Sequence, residues 1–357
     1  MLGHPGRPVA GEPDAEGRQI LVLPFDSLDA ARRRLLAFGP DAEVLAPASL
    51  RHDLLAAPWG VVARYGPPPR GHAGERVRTV VITGGTDGIG RALADTLLRR
   101  GDRVVAIARD PRKGRAWLER AAATGAGDRA RFVAADLSLV TEANRAGTAV
   151  MAEAGAVDAL VLCARRYRSA RTETAEGVEE NFALFYLSRY LLGHGLAPAL
   201  ARAPDPVVVN VAGPGAPLDV VRWRDLELRR DYHGGAALGQ GGKLNDLLGV
   251  AFAQRYAGIA YVLVHPGVTA TGFCGTYDAE TLAHVETMRR TAKPAAAAVP
   301  PILAAIDAPP AEPLTALVEG RRIAVDGPDF DPGAAARLWA LTKDRLGSLA
   351  PHEGRPR

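Results

Sequence analysis

The residues Thr83-Gly84-Gly85-Thr86-Asp87-Gly88-Ile89-Gly90 stand between an apolar run, RTVVITG, and an amphipathic one, GIGRALADTLLRRG. Glycines at this spacing let a chain turn sharply out of a strand and bring its backbone close to a pyrophosphate. The phosphates then rest on the N–H groups and positive dipole of the following helix. The next apolar run ends on Arg109-Asp110. An acid at this place would hold two ribose hydroxyls, whereas an arginine favours a 2′-phosphate by charge and bidentate geometry. Arg109 therefore points to NADP(H), and Asp110 leaves NAD open. Further groups able to move protons are Lys243, Tyr232 and His233, and the cationic stretch Arg165-Arg166-Tyr167 lies upstream of them. Cys163 reads as a small core thiol rather than a nucleophile.

On these residues, the chain from Arg78 onward resembles the short-chain dehydrogenase/reductase family, in its retinol-dehydrogenase-like branch. The turn has the TGxxxGIG form, which implies cofactor contacts from Gly84, Thr86, Asp87, Gly88, Ile89 and Gly90. The resemblance further implies that Asp136-Leu137 contacts adenine, that Pro266-Gly267 with Thr271 forms the PGxxxT turn near the nicotinamide amide, and that Lys243 holds the nicotinamide ribose. The stretch DPGAAARLWALTKDRLG, with Trp339, looks like the closing helix of that branch.

The resemblance breaks where the chemistry would be done. An ordinary member needs a phenol of near-neutral pKa, a hydroxyl donor and an amide. ALGQGGKLNDLLGVAF aligns with YxxxKLxxxLL and puts Gly239 at the Tyr position, VVVNVAGPG puts Gly213 at the Ser position, and ENFALFYLSRYLL puts Phe185 at the Asn position. The NNAG segment reads Leu162-Cys163-Ala164-Arg165, which carries Cys163 over as a cofactor contact and places a long cation where a glycine is usual. Gly239-Gln240-Gly241-Gly242 is expected to weaken a helix start and widen a cavity. Tyr232-His233, in the loop before that helix, is the preferred acid/base pair, with Lys243 as the third catalytic residue.

These side chains need a scaffold. RTVVITG, DRVVAIAR, ARFVAADL, VDALVLCA, DPVVVNVAG and IAYVLVHPG are apolar runs bounded by turn residues and separated by helical patterns. Strands buried on both faces look like this, so the fold class is α/β, a Rossmann-type doubly wound parallel sheet. Ahead of it, RQILVLPF, SLDAARRRLLAFG, AEVLAP and ASLRHDLLAAPWGVVARYG give a small β-α-β-α module. Its wording resembles the C-terminal extension of WYL-domain transcriptional regulators, without their helix-turn-helix or WYL core. The expected organisation is a disordered 1–17, the module at 18–66, a Pro/Gly-rich linker at 67–77, the Rossmann domain at 78–350 and a disordered tail at 351–357.

Composition narrows the function classes. The net charge of +4 comes from arginines interleaved with acids, which reads as a solvated surface rather than a nucleic-acid interface. No apolar run reaches a membrane-spanning length, and the N-terminus has no signal core. Cys163 and Cys274 are far apart and lack metal-ligand spacing, so a cytoplasmic protein without disulfide or metal is expected. The expected partners are a small-molecule substrate, NADP(H) and further copies of the chain in a dimer or tetramer. Three functions remain open: carbonyl reduction in specialised, natural-product metabolism with a non-standard proton donor; a non-redox cyclisation, dehydration or isomerisation using NADP(H) structurally; and a sensing pseudoenzyme.

Overall fold

The computed structural model describes residues 77–270 and 275–349 and, within the first 76 positions, residues 9, 10, 21–23, 25, 27 and 31. The chain divides into two units, Met1–Pro69 and Arg70–Arg357. In the first, Val9–Ala10 and Leu21–Val22 pair as antiparallel strands. The remainder of the expected 18–66 module, the 67–77 linker apart from Val77, and the 351–357 tail lie outside the described residues.

The second unit alternates strands and helices: β1 (Thr79–Thr83), α1 (Gly88–Arg100), β2 (Arg103–Ala108), α2 (Pro111–Ala123), β3 (Ala130–Ala134), α3 (Val140–Glu153), β4 (Ala159–Leu162), α4 (Ser188–Leu200), β5 (Val207–Val211), α5 (Gly234–Arg255), β6 (Ala260–His265), α6 (Ala279–Thr291), α7 (Val299–Asp307), β7 (Leu314–Val318), β8 (Arg321–Ile323) and α8 (Pro332–Leu349). The sheet order is β8-β7-β6-β5-β4-β1-β2-β3. All pairs are parallel except β7 with β8. The order reverses between β1 and β4, the switch point at which open α/β sheets leave a crevice beyond their C-terminal strand ends.

Side chains alternate across each strand, so every central strand feeds two cores. Val80, Ile82, Val104, Val161, Val209 and Val262 pack with α1, α7 and Trp117. Val81, Val105, Ile107, Leu160, Val208 and Leu263 pack with α3, α4, α5 and α8. This explains the unbroken apolar runs of the sequence. The expected doubly wound sheet is present, with two additions: β7, whose short LTALV run follows a Pro- and Ala-rich stretch, and the polar edge strand β8. Glu319 and Gly320 join them with φ of 50° and 82°, the left-handed pair required by a two-residue hairpin turn whose twist matches its strands.

Two local features set the catalytic end of the sheet. A helical turn, Glu180–Phe182, runs into a π-helical stretch, Ala183–Leu187, before α4. Asn245 of α5 donates its Nδ2 to the carbonyls of Phe185 and Gly241 at 2.8 and 2.7 Å, so the π-helical stretch is tied to α5. A Cβ on Gly241 would come within 2.6 Å of the Phe185 ring, and one on Gly242 within 3.2 Å of the Gly213 carbonyl. Of the glycines expected to widen a cavity, these two instead let α5 sit closer to its neighbours.

Trp117 is fully buried and its indole N–H donates to Asp95 at 3.0 Å, tying α2 to α1. Trp117→Ala is expected to lower unfolding stability by about 3–5 kcal/mol, read as a fall in the urea midpoint.

Candidate active site

The turn after β1 is held by contacts that only glycine permits. Gly84, at φ 69°, donates its N–H to the Ile107 carbonyl at 2.8 Å. A Cβ on Gly85 would lie 2.8 Å from Ala106 Cβ, and one on Gly90 would lie 2.4 Å from the Gly84 carbonyl oxygen. Gly88 is at φ 50°, Thr86 is buried, and Ile89 packs against the core. Asp87 caps α1 by accepting from Gly88 N–H at 2.8 Å and pairs with Lys113 at 2.5 Å. Burial opposes its charge, but these donors outweigh burial and hold its carboxyl below the usual range. Across the switch point, Thr83 Oγ1 accepts the N–H groups of Cys163 and Ala164, both at 3.0 Å, and fixes the end of β4 beside the turn.

Arg109 is more than half exposed, and its guanidinium lies 3.6 Å from Asp136. Asp136 accepts the hydroxyl and N–H of Ser138 at 2.6 and 3.1 Å, which outweigh burial and keep its carboxyl low. Leu137 is buried beside it. Asp110 is the N-cap of α2, accepting from the N–H groups of Arg112 and Lys113 at 2.8 and 3.4 Å. Withdrawal from water pushes the Cys163 thiol up to about 12, which leaves it protonated. Pro266 and Gly267 follow β6, Gly267 at φ 82°. Thr271 lies outside the described residues.

On the chemical side, a side chain at Gly239 would meet no atom within 4 Å, and one at Gly213 would meet only Cδ2 of His265, at 3.8 Å. Phe185 is buried, with the Arg189 and Arg165 guanidinium carbons 4.4 and 5.4 Å from its ring centre. Lys243 is fully buried; its ammonium donates to Asp246 at 2.7 Å and to the Asp329 carbonyl at 3.0 Å. Burial raises the Asp246 carboxyl to about 6 despite Lys243 and the Gly215 N–H, and its Oδ1 has no partner.

Tyr232 and His233 do not share one environment. The Tyr232 hydroxyl sits among Asn181 Nδ2 at 2.6 Å, the Arg168 carbonyl at 3.1 Å and Glu179 at 3.3 Å. Burial and the Glu179 charge raise its pKa above the ordinary phenol value. His233 is exposed and caps α5, its Nδ1 accepting from Gly235 N–H at 3.1 Å. Arg166 pairs with Glu180.

Several polar groups at this end were not singled out in the sequence. Asn181 is the buried amide of the helix in which Phe185 was aligned to the amide position. Arg189, within the apolar run YLSRYLL, is the buried cation that organises the strand ends. His265 directly precedes the Pro266-Gly267 turn, and its place in the alternation of β6 was the available signal. Among the described residues no group of three or more His, Cys, Asp or Glu could hold a metal, and no helix is long and apolar enough to cross a membrane.

The family model for short chain dehydrogenase matches residues 78–220. That for the WCX domain matches residues 5–57, in line with the regulator-like wording of that segment. A Streptomyces sp. (strain C5) protein named "Putative daunorubicin C-13 ketoreductase DnrU" is 31% identical over 291 residues, 80% of this chain and 98% of that protein. Retinol dehydrogenase 12 of Bos taurus is 30% identical over 193 residues, 54% of this chain and 61% of that protein. Among solved structures, a short-chain dehydrogenase from Streptomyces avermitilis superposes with TM-score 0.51 at 22% identity, covering 77% of this chain and 95% of its own. The NADPH-bound carbonyl reductase from chicken fatty liver superposes with TM-score 0.52 at 19% identity, covering 70% and 100%.

The Lys243–Asp246 pair makes a direct prediction. Removing one partner strands a buried charge, at a cost of about 3–5 kcal/mol, whereas replacing both with apolar residues is close to neutral. Lys243→Met and Asp246→Leu should each lower stability sharply, and the double variant should recover most of the loss in a denaturation cycle. In Lys243→Met the Asp246 carboxyl loses its counter-charge, so its folded-state pKa rises further above the unfolded value. The contribution of Asp246 to the stability of that variant should be greatest below about pH 4 and be lost as pH rises from there through a folded-state pKa above about 6.

Proposed function

This chain belongs to the short-chain dehydrogenase family, and we propose that within it the protein is an NADP(H)-dependent oxidoreductase that reduces a carbonyl group of a small natural-product-like substrate, with a proton donor other than the usual tyrosine. The carrying observation is the division of labour at the end of β2: Asp110 is engaged as a helix cap, while Arg109 is exposed and held only by a 3.6 Å ion pair with Asp136, within reach of a 2′-phosphate. The cradle around Gly84, Gly85 and Gly90, where a Cβ would collide, fits the close approach of a pyrophosphate. The residues that would hold the cofactor are Gly84, Thr86, Gly88, Ile89 and Gly90 at the turn, Arg109, Asp136 and Leu137 at the adenosine end, and Cys163, Pro266 and Gly267 at the nicotinamide end. When bound, NADPH would supply a hydride.

The substrate class is supported by the named ketoreductase relative, aligned over 98% of its length. No side chain fills the places of the usual tyrosine and serine at Gly239 and Gly213, so a substrate would meet little steric hindrance there. Lys243 enters this reading through position rather than proton transfer: its ammonium lies one turn along α5 from Gly239 and anchors the helix to the Asp329 segment.

Calorimetric titration should give NADPH binding tighter than NADH, and Arg109→Ala should reduce that preference by on the order of tenfold or more, the worth of a charge-assisted contact. Equal binding of the two dinucleotides would remove the role given to Arg109, and binding of neither would overturn the reading. Simple alkyl ketones should be reduced poorly, because each missing donor costs about 10² to 10³ in rate. Product formation without net NADPH consumption, supported equally by NADP⁺, would instead establish a non-redox reaction.

A further inference from the structure

Four ionisable side chains reach the same end of the sheet from separate segments: Arg165 after β4, His265 at the end of β6, Lys293 in the two-residue strand that pairs with Thr269–Ala270, and Glu319 in the β7–β8 turn. Among the described residues none of the four makes a side-chain hydrogen bond or ion pair; His265 and Lys293 are half-buried, Arg165 and Glu319 exposed. Glu319 and Lys293 close on the Pro266-Gly267 turn, and Arg165 lies near enough to His265 to act on its charge. A Gly267 side chain would begin 2.7 Å from Glu319 Oε1 and 3.0 Å from Lys293 Nζ. His265 follows Tyr261 and Leu263 on the face of β6 that meets α5, and its Cδ2 lies 3.8 Å from where a Gly213 side chain would begin. Cδ2 is thus the imidazole atom next to the place that lacks a hydroxyl, with no other atom within 4 Å of it. Arg165 stands over Phe185, with its guanidinium uncommitted.

The alternatives are occupied. The Tyr232 hydroxyl is held by Asn181, Arg168 and Glu179, and His233 is an exposed helix cap.

We propose that His265 delivers the proton to the substrate's carbonyl oxygen and that Arg165 polarises that oxygen, the two standing in for the missing tyrosine and serine. This rests on the reading of the chain as an NADPH-dependent carbonyl reductase. In balance, the carbonyl carbon receives the hydride that bound NADPH supplies and the oxygen receives the imidazolium proton. The products are an alcohol and NADP⁺, and the imidazole is reprotonated from water. Burial lowers the His265 pKa from its ordinary value; Glu319 works to raise it, and Arg165 and Lys293 lower it further. The protonated acid is thus populated only below the ordinary imidazole pKa, and the reductive rate should fall as pH rises through the lowered one.

The test uses the full chain, NADPH and 9,10-phenanthrenequinone, a carbonyl acceptor reactive enough to report on a site of modest power. Histidine-ring NMR of the apo and NADP⁺-bound protein, assigned with His265→Phe, should show the His265 resonance moving on NADP⁺ binding. His265→Phe should bind NADPH as the wild type does, lose at least about 10² in kcat and lose the falling alkaline limb. Arg165→Met should lose about 10² to 10³. Glu319→Gln should move the limb to lower pH and Lys293→Met to higher pH, shifts that a packing role for His265 would not produce. NADPH binding with kcat unchanged in His265→Phe, or a His265 resonance indifferent to bound NADP⁺, would overturn this proposal and leave the reductase reading standing. A wild type that neither binds NADPH nor reduces the quinone would overturn both.

Discussion

The guanidinium of Arg189 is fully buried and meets no carboxylate among the described residues, and the C-terminal end of the sheet is arranged around solvating it. It donates to Asn210 Oδ1, to the Val211 carbonyl at 3.0 Å and to the Ala164 carbonyl at 3.2 Å. Burial pushes its pKa down to about 10, still well above neutrality. A lone buried cation is tolerable when carbonyl dipoles and a ring face replace water. Here the ends of β4 and β5 supply the dipoles and Phe185 supplies the face. Asn210 passes the constraint onward, donating to Asn245 at 2.9 Å and to the Tyr261 hydroxyl at 2.8 Å, and Asn245 in turn holds the π-helical carbonyl of Phe185. One charge thus registers β4, β5, β6, α4 and α5 against one another.

The same constraint separates what the site keeps from what it lacks. The dinucleotide turn depends on backbone geometry that glycines alone allow, and it is complete. At the positions aligned with the usual tyrosine and serine stand Gly239 and Gly213, and the Arg189 network holds the neighbouring backbone of β5 and α5. A lysine whose ammonium is bound to Asp246 and the Asp329 carbonyl belongs to this supporting structure.

How much of this was legible follows from the kind of signal each part leaves. The doubly wound sheet was readable because strands buried on both faces write continuous apolar runs, and the turn at 83–90 because its glycines have a steric cause. Edge strand β8 writes only RRI, which has no strand pattern. The roles of Gly241 and Gly242 were not readable, since a glycine that admits a neighbour and one that leaves a void look alike in sequence. Only the Phe185 ring and the Gly213 carbonyl tell them apart. Arg189 and His265 were passed over for a related reason: a charge inside an apolar run signals burial but not which carbonyls or rings it meets. The N-terminal segment carries its identity in its wording, which the WCX match shares.

The three glycines at the start of α5 differ in what they permit to change. Gly241 is committed, because a Cβ there would come within 2.6 Å of the Phe185 ring, and Gly242 is tight, with the Gly213 carbonyl 3.2 Å from where its side chain would start. Gly239 carries no such commitment, with no atom within 4 Å of where a side chain would start. A side chain at 239 would therefore start in open space. Position 239 thus accepts residues of many sizes without moving the helix, while positions 241 and 242 tie any added side chain to a change in how α5 meets its neighbours.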